Sequence, residues 1–475
     1  MSGIKQWRTG ISFYRGWYAG CLVFAVVFTT LSFFCHPGSD DYMLGFLTSQ
    51  TGYLDLQREL YLKWQGRYFS SFLIPAWAAG SLRYHIYWLH PLLLLLLTFL
   101  SVWDLLRQMS RLYQVAVNSR LLLFVSSLVL LALVFTLPSV FEGYFWLVGS
   151  LAYQPGFIML LLLAAQYCRM ALLPAEKRRR PLALSVLLSV MLGGSIEIVI
   201  LVALLALLYW WLFINRPGLR KEMIVITAVI ATGSLFTALA PGTLERTAHM
   251  SGSRLAVLIS FGYWPMRAIT AIASQPLFWA TCICLYAGGS RFGLPAGLRP
   301  LGYRNWLWLL LLPFIALLPI LAVSGGSLPL RLLNVVVQCW VLLSAAFFYW
   351  LGANRPLALS VIQQFVSWKW LLLLLLVTGI IANGYGRNLL QGYFYDQVMH
   401  RNEMLLRANR FETGAAETDY KQAVGAVYRQ LPPGLQKELL WETVKNVPDL
   451  IGNYSDFENF NEKSTISLYY RSVFR

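Results

Sequence analysis

LALSVLLSVMLGGSIEIVILVALLALLYWWLF, residues 182–213, is the stretch whose reading decides the fold. As one straight helix it would be about 48 Å long at about 1.5 Å per residue, against a hydrocarbon core of about 30 Å. It is therefore either two short spans or one very tilted, kinked helix. The glycine pair and Glu197 in GGSIE (193–197) favour two spans with a turn between them. The flanks agree. PAEKRRRP (174–181) and RPGLRKE (216–222) are both basic, and two crossings return the chain to the side it left.

Working outward, the same pattern repeats. Of 475 residues, 58% are hydrophobic and only 12% charged, with a mean hydropathy of +0.58. Soluble proteins carry about 25% charged residues. A water-soluble enzyme, a disordered chain and a disulfide-rich module are excluded. The six cysteines lie in or beside apolar runs and form neither a zinc pattern nor a disulfide framework. The run from Trp17 to Phe34 lacks a small-residue cleavage site and reads as a first span.

The prediction is an all-α polytopic membrane protein of about eleven spans. They fall near 17–35, 86–106, 120–137, 153–173, two within 182–213, then 223–240, 276–289, 305–322, 332–351 and 369–386. Residues 68–80 are apolar but too short to cross and read as an interfacial helix in the first loop. Residues 255–272 read as an amphipathic stretch. Residues 1–387 form the membrane domain, and 388–475 a small, mainly helical C-terminal domain on the outer side.

The net charge of +17 tests this topology. The predicted inner segments hold about nineteen Lys and Arg against three acids, whereas the outer loops hold about eight against seven. Nearly the whole excess therefore sets orientation, with the N-terminus cytoplasmic, and is not a nucleic-acid footprint. Every polar motif of note then falls on the outer face. These are Asp40 and Asp41 with Tyr42, Trp64 to Arg67, Glu142 with Trp146 and Tyr153, Glu197, Arg246 and Arg331. Carboxylates beside arginines at one membrane face suit transfer from a lipid phosphate. A carboxylate takes the proton of an attacking hydroxyl, and arginine holds the donor phosphate and offsets charge on the leaving group. Aromatic faces suit sugar rings. The plainer alternatives are solvated loop acids for the Asp pair, ion pairing with Arg67 for the two Glu, and interfacial belts for the aromatics. The five histidines show no ligand spacing, and His36 reads as solvated or interfacial.

Five motifs in order, DDY (40–42), WQGR (64–67), FEGYFWLVGSLAY (141–153), GGSIE (193–197) and PGTLER (241–246), resemble bacterial members of the GT-C superfamily of polyprenyl-phosphate-sugar glycosyltransferases. The serotype-converting O-antigen glucosyltransferases are of this general class. The resemblance implies a GT-C-like fold in the bacterial inner membrane and inverting transfer of a hexose from undecaprenyl-phosphate on the periplasmic face. The acceptor would be a surface glycan or its lipid-linked precursor, with a donor-making synthase and a flippase as upstream partners. It implies Asp40 or Asp41 as general base, the choice between them open, the other orienting the acceptor or a divalent cation. Arg246, Arg331 and Arg67 are the donor-phosphate candidates. Tyr42, Trp64, Glu142, Trp146, Tyr153 and Glu197 are the substrate-binding candidates. The competing readings are an O-antigen polymerase or ligase, and a lipid-linked sugar flippase, which would want polar residues at mid-membrane in several spans.

Overall fold

The structure is a computed structural model that describes residues 2–214, 216–248, 253–294, 302–356 and 369–407. The motif YKQAVGAVYRQL (420–431), His249 and most of the expected C-terminal domain lie outside the described residues. Among the described residues every regular element is helical. Among the described residues nine helices are long and apolar enough to cross a membrane, so the chain has the build of a multi-pass membrane protein.

The run 182–213 breaks as its length requires. Helix α8 (Arg179–Gly193) ends at the glycine pair, and α9 starts at Glu197 and runs to Tyr209. The helices before them are α1 (Ser2–Phe33), α2 (Ser39–Thr51), α3 (Tyr53–Lys63), α4 (Tyr68–Tyr84), α5 (Leu89–Leu112), α6 (Ser119–Phe135) and α7 (Leu147–Leu172). Those after are α10 (Arg220–Ala238), α11 (Pro241–Ala248), α12 (Arg254–Ala273), α13 (Pro276–Phe292), α14 (Tyr303–Ile315), α15 (Leu317–Val323), α16 (Leu330–Asn354), α17 (Lys369–Ala382) and α18 (Tyr385–Arg407).

Side-chain contacts set the direction of each helix. The middle of α1 meets the start of α6 through Tyr18 OH donating to Arg120 O at 2.8 Å. Its end meets the start of α5, where Phe33 stacks on Trp88. The ends of α5 and α7 meet through Asp104 and Arg169. Helices α13 and α16 run parallel, with Phe278 against Trp340 near one end and Ser290 Oγ donating to Gly352 O near the other. One end of the bundle therefore collects the motifs, and the opposite end collects the basic runs around Arg178 and Arg220. At that basic end Arg178 binds Glu222 at 3.0 Å and ties α8 to α10.

Helix α12 has the length of a span, yet both its ends sit at the motif end. Near its start a Cβ on Gly326, in the loop before α16, would fall 2.8 Å from Ala256 O, and just past its end Gln275 binds Asn383, which follows α17. It lies across that end with Leu255, Leu258, Ile259 and Met266 exposed, as its amphipathic sequence predicts.

Three differences from the sequence reading have physical causes. FEGYFWLVGS reads as a loop because of its glycines and Glu142, but Phe141–Phe145 is a π-helical turn and α7 begins at Leu147. Tyr153 is therefore held inside a helix. Second, α18 is continuous over the expected boundary at 387/388, and its first residue, Tyr385, is buried against Phe24 and Phe135 of the membrane bundle. Third, polar groups are not confined to one face. Gln154 Nε2 donates to Thr98 Oγ1 and Tyr144 OH, and Gln338 Nε2 donates to Gln154 Oε1, all buried within the bundle.

The tightest helix contact is α13 against α16. A Cβ on Gly289 would overlap Tyr349 O, and one on Gly352 would overlap Tyr286 O. Small residues let membrane helices approach this closely. Gly352→Ala is predicted to destabilise the protein by about 1–3 kcal/mol through overpacking. Gly262→Ala, on α12 with open space at its Cβ position, is predicted to be neutral or slightly stabilising. Thermal unfolding of both variants in detergent checks this.

Candidate functional site

The two adjacent acids of DDY have opposite environments. Asp41 is fully buried. The Gly38 backbone N–H donates to its Oδ2 at 2.8 Å, which caps the start of α2. The Tyr87 hydroxyl donates to the same oxygen at 2.8 Å, and the Val148 N–H to Oδ1 at 3.1 Å. Tyr87 also accepts from the Leu147 N–H at 3.0 Å. Asp41 thus pins α2 to the first turn of α7. Burial pushes its carboxyl up to about 7; the bonds from Gly38, Tyr87 and Val148 oppose that shift and the neighbouring Asp40 adds to it. Asp40, one residue earlier, is exposed. Tyr42 is fully buried in the core and offers no open face to a sugar.

The arginines gather next to this anchor. Arg67 binds Glu197 with two bonds, Nε to Oε1 at 2.9 Å and Nη2 to Oε2 at 2.7 Å, and a third goes from Nη1 to Gln65 Oε1 at 3.1 Å. Burial alone would lower the Arg67 pKa; the Glu197 charge and hydrogen bond outweigh it and raise it. The Glu197 side chain keeps 39% of its surface exposed and that of Arg67 13%, so the glutamate stays partly open to solvent while the arginine is largely covered.

Arg331, at the start of α16, donates its backbone N–H to Glu142 Oε2 at 2.6 Å, and its Nη1 lies 4.0 Å from the same oxygen. Its guanidinium stacks 4.7 Å from the Trp146 ring centre and 6.0 Å from that of Tyr153. Trp146 is backed by Phe141, nearly parallel at 6.2 Å. Arg246 lies 6.0 Å over the exposed Trp64 ring. Among the described residues no carboxylate comes within ion-pair distance of Arg246. Burial, then the positive charge of Arg67, lowers its pKa, with Glu197 partly opposing. Arg67, Arg331 and Glu197 act electrostatically on Tyr153, and Tyr153 acts on Arg246. Arg67, Arg246, Arg331 and Glu197 therefore lie within electrostatic reach of one tyrosine, and with Glu142 on Arg331 the group carries a net positive charge.

Two glycines make this gathering possible. A Cβ on Gly66 would overlap Thr237 O and Ala240 Cβ, and one on Gly242 would fall 2.5 Å from Trp64 N. WQGR and PGTLER interlock backbone to backbone, and Thr243 Oγ1 accepts from the Gly66 N–H at 2.8 Å. On the other side, the Phe69 N–H donates to Gly194 O at 2.9 Å, joining WQGR to the GGSIE turn.

The ion pair of Glu197 with Arg67 is the plainer alternative raised from sequence; Glu142 takes Arg331 instead. His36, read from sequence as solvated or interfacial, binds Asp396 of α18 at 2.8 Å. Sequence reasoning missed Tyr87 and, inside its own motifs, gave no role to Gln65 or Val148. Tyr87 sits in the aromatic run YHIYW (84–88), which carries no mark to separate it from an interfacial belt. A divalent cation does not fit the acid pair. Asp41 already accepts three bonds, which leaves Asp40 alone, and no cluster of three His, Cys, Asp or Glu able to hold a metal occurs among the described residues.

No protein-family model, curated protein or solved structure matches the chain.

The raised Asp41 pKa has a definite sign. The native state keeps the proton up to about pH 7, whereas the unfolded chain releases it near the ordinary 3.8. Native stability from this group is highest in acid and falls as pH climbs through that window. The difference in melting temperature between the wild type and Asp41→Asn is predicted to shrink from pH 5 to pH 8. A difference that stays constant over that range would contradict the buried, protonatable carboxyl.

Proposed function

We propose that the chain is an inverting, GT-C-like glycosyltransferase of the bacterial inner membrane, moving a hexose from undecaprenyl-phosphate to a surface glycan or its lipid-linked precursor. On this reading the motif end faces the periplasm, the basic end faces the cytoplasm, and eleven helical passes cross the bilayer while α12 lies on its outer surface. A synthase that makes the donor and a flippase that delivers it complete the system.

The observation that carries the reading is the uncompensated Arg246 beside two carboxylate-paired arginines around Tyr153. A net positive, partly desolvated cluster favours an anion. A sugar phosphate supplies one, and its lipid tail has exposed apolar helix surface to follow, such as Leu235, Phe236 and Leu239 at the end of α10.

The different surroundings of the two acids support a different role for each. Asp41 is the positioning residue, since both its oxygens are occupied. Asp40 is the general base. Its carboxylate accepts the proton of the acceptor hydroxyl while that oxygen forms a bond to the anomeric carbon. The bond from that carbon to the phosphate oxygen breaks, and the electron pair leaves with the polyprenyl phosphate. Arg246 and Arg331 stabilise the growing charge. Arg67 is held by Glu197 and orients the wall. Trp64 and Trp146 present rings to the sugar; the buried Tyr153 packs beneath Arg331, and Tyr42 stays in the core.

The test is sugar transfer by the purified chain from polyprenyl-phosphate hexoses. Asp40→Asn is expected to lower kcat by about 10²–10⁴-fold with donor binding retained. Arg246→Gln is expected to weaken donor binding, and glycans from cells lacking the protein to lose a side branch. Full transfer by Asp40→Asn and by the Asp40→Asn, Asp41→Asn double variant would refute the assigned base.

A further inference from the structure

At the end opposite the motifs, the ends of α5 and α7 and the start of α8 enclose a cleft of about 410 Å³. It is lined by Gln108, Arg111, Gln166, Arg169 and Arg180, with leucines including Leu172 and Leu184. Its polar floor is built. Arg169 Nη2 donates to both oxygens of Asp104 at 2.6 and 2.7 Å, and Gln108 Nε2 donates to Asp104 Oδ1 at 2.9 Å. Arg169 Nη1 reaches the buried Gln166. Asp104 is thereby spent on Arg169. Arg111 and Arg180 have no carboxylate within ion-pair distance among the described residues. Two uncompensated cations therefore face one cleft. Arg180 lies in the first turn of α8, where free backbone N–H groups add to the attraction for an anion.

The other wall is apolar. Leu172 and Leu184 are about two-fifths exposed, at the depth where helix ends give way to the run Lys177–Arg180. A soluble anion has no use for such a wall, whereas a lipid fills both halves. We propose that this cleft binds an anionic membrane lipid with a two-phosphate headgroup, its phosphates on Arg111 and Arg180 and its acyl chains along Leu172 and Leu184. Basic pockets between helix ends are the general setting for such headgroups. The volume lies within the usual range for small-molecule sites, about 300–1,000 Å³. The inference does not depend on what the motif end does.

Native mass spectrometry of the full chain in detergent tests it with cardiolipin, phosphatidylglycerol and phosphatidylcholine, and with inorganic phosphate as competitor. The Arg111→Gln, Arg180→Gln double variant removes the two cations. Arg107→Gln with Lys177→Gln removes equal charge from the same end but outside the cleft. The wild type is expected to retain one cardiolipin preferentially, with about thirtyfold weaker retention in the cleft variant and little change in the control. Equal loss in both variants would reduce the effect to general surface charge and overturn the proposal. Equal retention of phosphatidylcholine would overturn it too. Displacement of cardiolipin by low-millimolar inorganic phosphate would show that the tail contributes nothing, and would assign the cleft to soluble phosphate.

Discussion

The bidentate pair between Arg67 and Glu197 is the contact on which the motif end depends. It joins residues 130 positions apart, one in the first loop and one at the first turn of a span. Bringing two ions out of water costs more than a simple attraction repays unless the geometry is good. Here the geometry is good, with two short, roughly parallel bonds and Gln65 taking a further donor. The half-open glutamate keeps part of its hydration. Removing either partner would leave the other stranded, so the pair acts as a register device. It fixes where WQGR sits, and WQGR fixes PGTLER through the interlocked glycines.

A second fastening works by similar logic with one charge. Asp41 has three donors and no cation, and its burial makes the proton easy to keep. It holds α2, the Tyr87 loop and the start of α7 at one point. Because it is held, its neighbour Asp40 is displayed. The two acids are adjacent in sequence but differ in what surrounds them, and that difference makes Asp41 an anchor and leaves Asp40 at the surface.

Much of the fold was legible because membrane crossing is a one-dimensional constraint. A run of 32 residues does not fit a core of about 30 Å as one upright helix, and the glycine pair with Glu197 favours a turn at GGSIE over a tilted helix. The helices observed near the expected spans follow from the same arithmetic. Failures came where composition misleads. FEGYFWLVGS looks like a loop, yet its backbone is helical on both sides of an extended Trp146, with Gly143 close against Asn334 and Gly149 against Trp146. The span-like Arg254–Ala273 has both ends at one level, which no hydropathy value records.

The sequence by itself determined that the chain is a polytopic helical bundle, and that its acids and arginines of interest cluster at one end. Hydrophobic length and charge asymmetry carry that information locally, residue by residue. Only the tertiary structure decided who pairs with whom. It set Glu197 on Arg67 and Glu142 on Arg331, left Arg246 unmatched, buried Asp41 and exposed Asp40. Those outcomes depend on distances between helices far apart in sequence, and on the desolvation each side chain meets when they pack.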